Sequence, residues 1–123
     1  MTMRSLRLFL TLTSAPMAIG LSAAPYAIAQ VSDAQQRAVN VARMRAEKIN
    51  GGLGQYRAAS CMYDTSSGGG DCLVNSSGGF TFMIPGGKPG WQETGQAPTV
   101  ETEIQISMDG REVLSEIYNG SPR

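Results

Sequence analysis

The stretch Val100-Glu-Thr-Glu-Ile-Gln-Ile-Ser-Met108 constrains the fold more than any other part of the chain. Val100, Thr102, Ile104, Ile106 and Met108 alternate with polar residues. A period of two sends one set of side chains inward and the other into water, so a half-buried strand is predicted with those five inward. Asp109-Gly110 follows at once, and that dipeptide favours a tight hairpin. The chain is expected to return with Val113 opposite Ile106, Ser115 opposite Ile104 and Ile117 opposite Thr102. A rival stays open. Asp109 with Glu112, then Val113, Leu114, Ile117 and Gly120, also spells a short capped helix.

A strand pair needs a partner layer. The segment Val31 to Asn50 supplies one, because Ser32 with Gln35 three residues later is a capping-box pattern. Ala34, Ala38, Val41, Ala42 and Ile49 are expected on the packed face, with Gln36, Asn40, Arg43 and Glu47 opposite. Arg43 and Glu47 also form an i,i+4 pair. Asn50-Gly51-Gly52 ends the helix, since glycine takes the left-handed cap cheaply. An alanine-rich face suits close approach to a sheet.

Between helix and hairpin the residues read as β-structure. Tyr56 to Tyr63 and Cys72 to Val74 flank the tip Asp64 to Asp71, and Phe80 to Ile84 places Phe80, Phe82 and Ile84 on one face. Cys61 and Cys72, eleven positions apart, are the only cysteines. A disulfide stapling a hairpin is expected, with Tyr63 opposite Gly70. A reactive or metal-binding pair would want closer spacing or histidine partners. The fold class is therefore α+β, with one N-terminal helix packed on a four- to five-stranded antiparallel sheet and a disulfide-stapled hairpin. In outline this resembles cystatin-like and PepSY-like exported domains, a likeness that carries over no residue roles.

Residues 1–29 read as a secretory signal peptide, and 30–123 as a single small domain. Arg4 and Arg7 precede an apolar run, Leu8 to Leu21, too short to cross a bilayer, and Ala27-Ile28-Ala29 is a peptidase-type pattern with the cut before Gln30. The expected location is periplasmic or extracellular, or a thylakoid lumen if the source is photosynthetic. No stable membrane insertion is expected after cleavage, because later apolar runs are short. Without Arg4 and Arg7, eight basic residues face ten acidic ones. That balance argues against nucleic acid as a partner, which wants a basic face.

The chain has no histidine. This removes the usual Ser-His and Cys-His nucleophile systems and most zinc sites, so no enzyme, metal or cofactor is expected. The Asp64 to Asp71 tip imitates a calcium loop but places Ser66, Gly68 and Asn75 where ligands belong. A carboxylate-dependent hydrolase is the alternative. Glu101 and Glu103 share a strand face about 7 Å apart, and the expected register brings Glu116 opposite Glu103. The bland reading of these acids is a solvent face.

One stretch remains, Pro85 to Pro98, which carries the chain's single tryptophan between Gly90 and Gln92. Trp91 is either a lid on an open end of the sheet or an aromatic platform for a partner. The second reading makes Trp91, Lys88, Gln92 and Glu93 the candidate binding residues. The protein is then a non-enzymatic binding or accessory module for another protein or an extracellular polymer. A structural subunit of an envelope or membrane-associated complex is a further alternative.

Overall fold

The computed structural model describes Ser14 and residues 30–123; the expected signal segment otherwise lies outside the described residues. Ser32 opens the helix as expected, its hydroxyl accepting the Gln35 amide at 3.1 Å. The capping box is only half formed, because Gln35 Nε2 reaches away to the Gly68 carbonyl at 2.9 Å. Helix α1 runs Asp33–Ile49. At its end the Gly52 amide returns to the Glu47 carbonyl at 2.8 Å, and Gly51 has φ +99°. The left-handed residue is thus Gly51, and Asn50 caps with its backbone amide on Ala46.

Five antiparallel strands follow: β1 (Arg57–Ala58), β2 (Leu73–Asn75), β3 (Phe80–Gly87), β4 (Val100–Ile106) and β5 (Val113–Gly120). The sheet order is β1-β3-β4-β5, with β2 also paired to β3. β1 meets Gly86 and Gly87, while β2 meets Thr81 and Phe82, so both occupy the same edge of β3 at different heights. Pro85 sits between them, where a missing N–H breaks no ladder bond. The first three residues of the expected Gly/Pro loop therefore belong to a strand.

Helix α1 covers one sheet face. Ala38, Val39, Ala42 and Ala46 are fully buried with Phe82, Ile84, Ile104 and Ile106. Small residues let the helix approach, and each large sheet side chain buried there contributes roughly 1.5–3 kcal/mol. Val39 and Ala46 join the expected packed face, while Ala34, Val41 and Ile49 are only half-buried. The face expected to be free is partly covered, because residues 56–75 pack against α1's flank. Arg43 and Glu47 are half-buried by that contact, and Gln36 and Asn40 are half-buried as well, Asn40 beside Gly110 and Arg111.

The hairpin of β4 and β5 forms, and the helical rival for 109–120 does not. Ile106 pairs with Val113 as expected. Two bulges then shift the register, so Ile104 meets Glu116, Gln105 meets Ser115 and Thr102 meets Asn119. The edge strand absorbs these bulges because only one side of it is paired. As a result Ile117 is 48% exposed rather than inward, and Met108 lies in the turn at 70% exposed. The turn also differs in kind. Positive φ occurs at Gly110 and not at Asp109, so both central residues are not left-handed as the tightest hairpin turn requires. Gly110 fits against the helix so closely that an added Cβ would lie 2.0 Å from the Ala34 carbonyl oxygen.

Cys61 and Cys72 are bonded, with Cα atoms 6.1 Å apart. The ladder expected around them is replaced by three 3₁₀ turns, Ser60–Met62, Thr65–Ser67 and Gly70–Cys72. The staple joins the first turn to the third, and Tyr63 and Gly70 are not a strand pair. Burial explains the change. Tyr56, Ala58, Ala59, Met62 and Cys72 all reach the core, a spacing that strict alternation cannot satisfy.

Candidate functional site

The stretch after β3 ties itself down. Trp91 N donates to Lys88 O at 3.0 Å, Gln96 N to Trp91 O at 2.9 Å and Thr99 N to Gly86 O at 2.9 Å. Thr94 Oγ1 adds a bond to Gly90 O at 2.9 Å. These local bonds fold residues 88–96 into a coil of turns that doubles back over the end of β3.

That coil delivers Trp91 to the sheet. Its indole lies on the bare backbone of Gly87, where an added Cβ would come 3.0 Å from the ring. Its Nε1 donates to the Arg57 carbonyl at 2.9 Å. Trp91 is 7% exposed. Its position is that of the lid, and its face is not presented to water as a platform would be.

Gln92 fastens the same coil to the first 3₁₀ turn. The Ser60 amide donates to Gln92 Oε1 at 2.8 Å, and Gln92 Nε2 donates to Ser60 Oγ at 3.2 Å. Between coil and turn lies a cleft of about 490 Å³, walled by Pro89, Gly90, Trp91, Gln92 and Glu93 on one side and by Arg57, Ala58, Ser60 and Tyr63 on the other. Of the four expected binding residues, Trp91, Gln92 and Glu93 come together here. Lys88 is exposed and does not line the cleft.

The sequence reading missed Tyr63, Arg57 and Ser60. Tyr63 is 45% exposed, yet it is not loose. The Arg43 guanidinium lies 4.9 Å from its ring centroid. Arg43 is held in turn by Glu47 at 3.3 Å and by the Met62 carbonyl at 3.1 Å. The Tyr63 hydroxyl also reaches Glu47 Oε1 at 3.4 Å. A ring fixed by a cation, with nearly half its surface open, is a pre-ordered stacking surface. No signal in the sequence joined Tyr63 to Arg43, because they meet only through the turn that replaces the expected strand. Arg57 and Glu93 supply charge to the cleft, and neither makes an ion pair among the described residues.

Beyond the Ser60–Gln92 bridge the surface continues into a second hollow of about 400 Å³. The disulfide, Val74, Met83, Pro85 and Glu101 line it. It lies toward the sheet face that α1 leaves open.

Of the acids of the hydrolase alternative, Glu101 and Glu103 meet at one guanidinium and Glu116 lies apart from them. Glu103 faces Tyr118, and Glu116 stands opposite Ile104, where it binds Arg45. Glu101 and Glu103 are both engaged by Arg123, at 2.6 Å and 3.4 Å. At the 64–71 tip the Asp64 carboxylate accepts from Ser66 Oγ at 2.6 Å, which holds its pKa below the usual range. Asp64 is thus spent on capping its own turn. The described residues include no group of three or more metal-binding side chains and no helix long and apolar enough to cross a membrane.

Tyr56 stands apart from the cleft. Its hydroxyl is buried without a hydrogen-bond partner among the described residues, and burial pushes its pKa up to about 12, with the Thr102 hydroxyl offsetting part of that rise. Thr102 spends its own bonds on Asn50 and Asn119.

No family model matches the chain, and no curated protein and no solved structure is significantly similar to it.

Proposed function

We propose that this is an exported, non-enzymatic binding module that holds another macromolecule outside the cytoplasm. Its working surface is the cleft between the 88–96 coil and the stapled turn. The observation that carries this reading is the pairing of a locked, half-open Tyr63 ring with a guanidinium and a carboxylate that make no ion pair among the described residues, all in one concave site. Concave sites with a few convergent polar groups are where proteins hold ligands. The expected signal at 1–29 and the disulfide support an extracytoplasmic setting, since disulfides persist in oxidising compartments.

The test is affinity capture from the native extracytoplasmic fraction, with wild type beside a Tyr63→Ala, Glu93→Lys double variant whose disulfide and circular dichroism are unchanged. The wild type should retain a partner that the variant loses. Identical capture by both would remove the cleft from the account and favour a structural subunit that uses another surface. Mass spectrometry of the exported form should find its N-terminus at Gln30. An intact Met1 in that fraction would refute the signal-peptide reading.

A further inference from the structure

The cleft does not end at its own rim. It and the second hollow share the Ser60 and Gln92 walls, so a bound chain can run from one to the other across that bridge. A ligand that uses both is extended, not a compact small molecule. We infer that this ligand is a neutral glycan strand, an assignment that rests on the binding-module reading above.

Three features of the site favour sugar over peptide. A peptide added as a strand needs a long free sheet edge, and β1 beside the cleft has only two residues. A proline-rich peptide needs a groove lined by aromatic rings, and of the two rings here Trp91 is turned into the sheet while only Tyr63 is open. A pyranose needs one flat ring against its C–H face. Tyr63 supplies it, with its orientation fixed by Arg43.

The polar groups match hydroxyls. The Glu93 carboxylate accepts from adjacent sugar O–H groups, the Arg57 guanidinium donates to hydroxyl oxygens, and the Ser60 hydroxyl retains a proton to donate while accepting from Gln92. Arg57 and Glu93 balance within the cleft; in the second hollow Glu101 is held by Arg123, and Asp71 adds one negative charge. A polyanion would gain from Arg57 and lose to Glu93 and Asp71. An uncharged strand, whose hydroxyls can donate to those carboxylates, meets no such penalty.

The experiment is titration of the purified protein, disulfide intact, with short linear oligomers of β-linked glucose and of N-acetylglucosamine. Oligogalacturonate and a proline-rich peptide are run beside them, all followed by heteronuclear NMR. A neutral oligomer should bind saturably at or below about 1 mM, shifting the Ser60, Tyr63 and Gln92 amides with little dependence on salt. Tyr63→Ala should weaken it by about tenfold or more and Glu93→Gln by less, while Tyr63→Phe, which keeps the ring, should retain most of it. Absence of binding by both neutral oligomers overturns the glycan assignment, as does binding of only the anionic oligomer or the peptide. Tyr63-dependent capture of a protein partner in those cases would leave the binding module standing. Loss of both results would remove both.

Discussion

Trp91 and Tyr63 sit on the two segments that form one cleft, and the chain holds them by different means. Trp91 is pressed onto Gly87 and bonded to a β1 carbonyl; Tyr63 is propped from one side by a guanidinium and left half open. The first arrangement removes a large apolar surface from water and so stabilises the fold. The second removes little, and its cation and hydroxyl contacts serve mainly to fix a ring in place. Exposure thus separates a side chain that builds the cleft from one left open in it, although both are aromatics in segments of loop-like composition.

The largest effect expected from breaking this division is at Trp91. Trp91→Ala should destabilise the protein by about 3–5 kcal/mol in urea unfolding, as truncating a core aromatic does. Trp91→Phe should recover most of that and leave a deficit near 1 kcal/mol for the lost Arg57 bond.

Removing the staple that holds the Tyr63 side of the cleft comes next. Cys61→Ser with Cys72→Ser should cost roughly 2–3 kcal/mol through lost loop constraint. Thiol labelling of the unfolded, unreduced wild type should find no free thiol. Free thiols there would mean that the cleft wall is held by packing alone.

A third aromatic sharpens the comparison through pH. Tyr56 is buried like Trp91, but among the described residues its hydroxyl has no hydrogen-bond partner. Its folded pKa, about 12, lies above the ordinary tyrosine value of 10.0 because burial disfavours the phenolate. The fold therefore protects the protonated form. The stability tied to Tyr56 is intact below about pH 10 and is lost as pH climbs towards 12. Ultraviolet titration should show one tyrosine resisting ionisation through that window, and Tyr56→Phe should flatten the matching fall in stability.

The smallest stability effect is expected at Tyr63 itself. Tyr63→Ala should change unfolding free energy by under about 1 kcal/mol, as for exposed side chains generally. The same variant should weaken partner binding by about 2 kcal/mol or more, as loss of an interface anchor does.

These expectations also show where the sequence was readable. The Ser32 cap, the alternation of Val100 to Ile106 and the return at Asp109-Gly110 are local patterns, and each produced its element. The disulfide followed from having two cysteines, both after the expected signal segment. What could not be read depends on tertiary contact. Bulges in β5 have no residue signature, so Ile117 was assigned inward and lies outward. The run Tyr56 to Tyr63 has strand-like residues, but the core claims Tyr56, Ala58, Ala59 and Met62 and bends the backbone into a turn. That bend brings Tyr63 to Arg43, and with it the open ring of the proposed site. The Gly/Pro stretch left Trp91 open between lid and platform, and only the folded coil, which buries it on Gly87, places it as the lid.

One measurement tests the division of labour most directly, because the chain has a single tryptophan. The fluorescence of Trp91 should be blue-shifted and poorly quenched by acrylamide in the native wild type, and unchanged in Tyr63→Ala. It should shift to the red only when the protein unfolds. A native emission already at the solvent-exposed position, freely quenched, would contradict the account, since Trp91 would then be presenting its face to the cleft rather than roofing it.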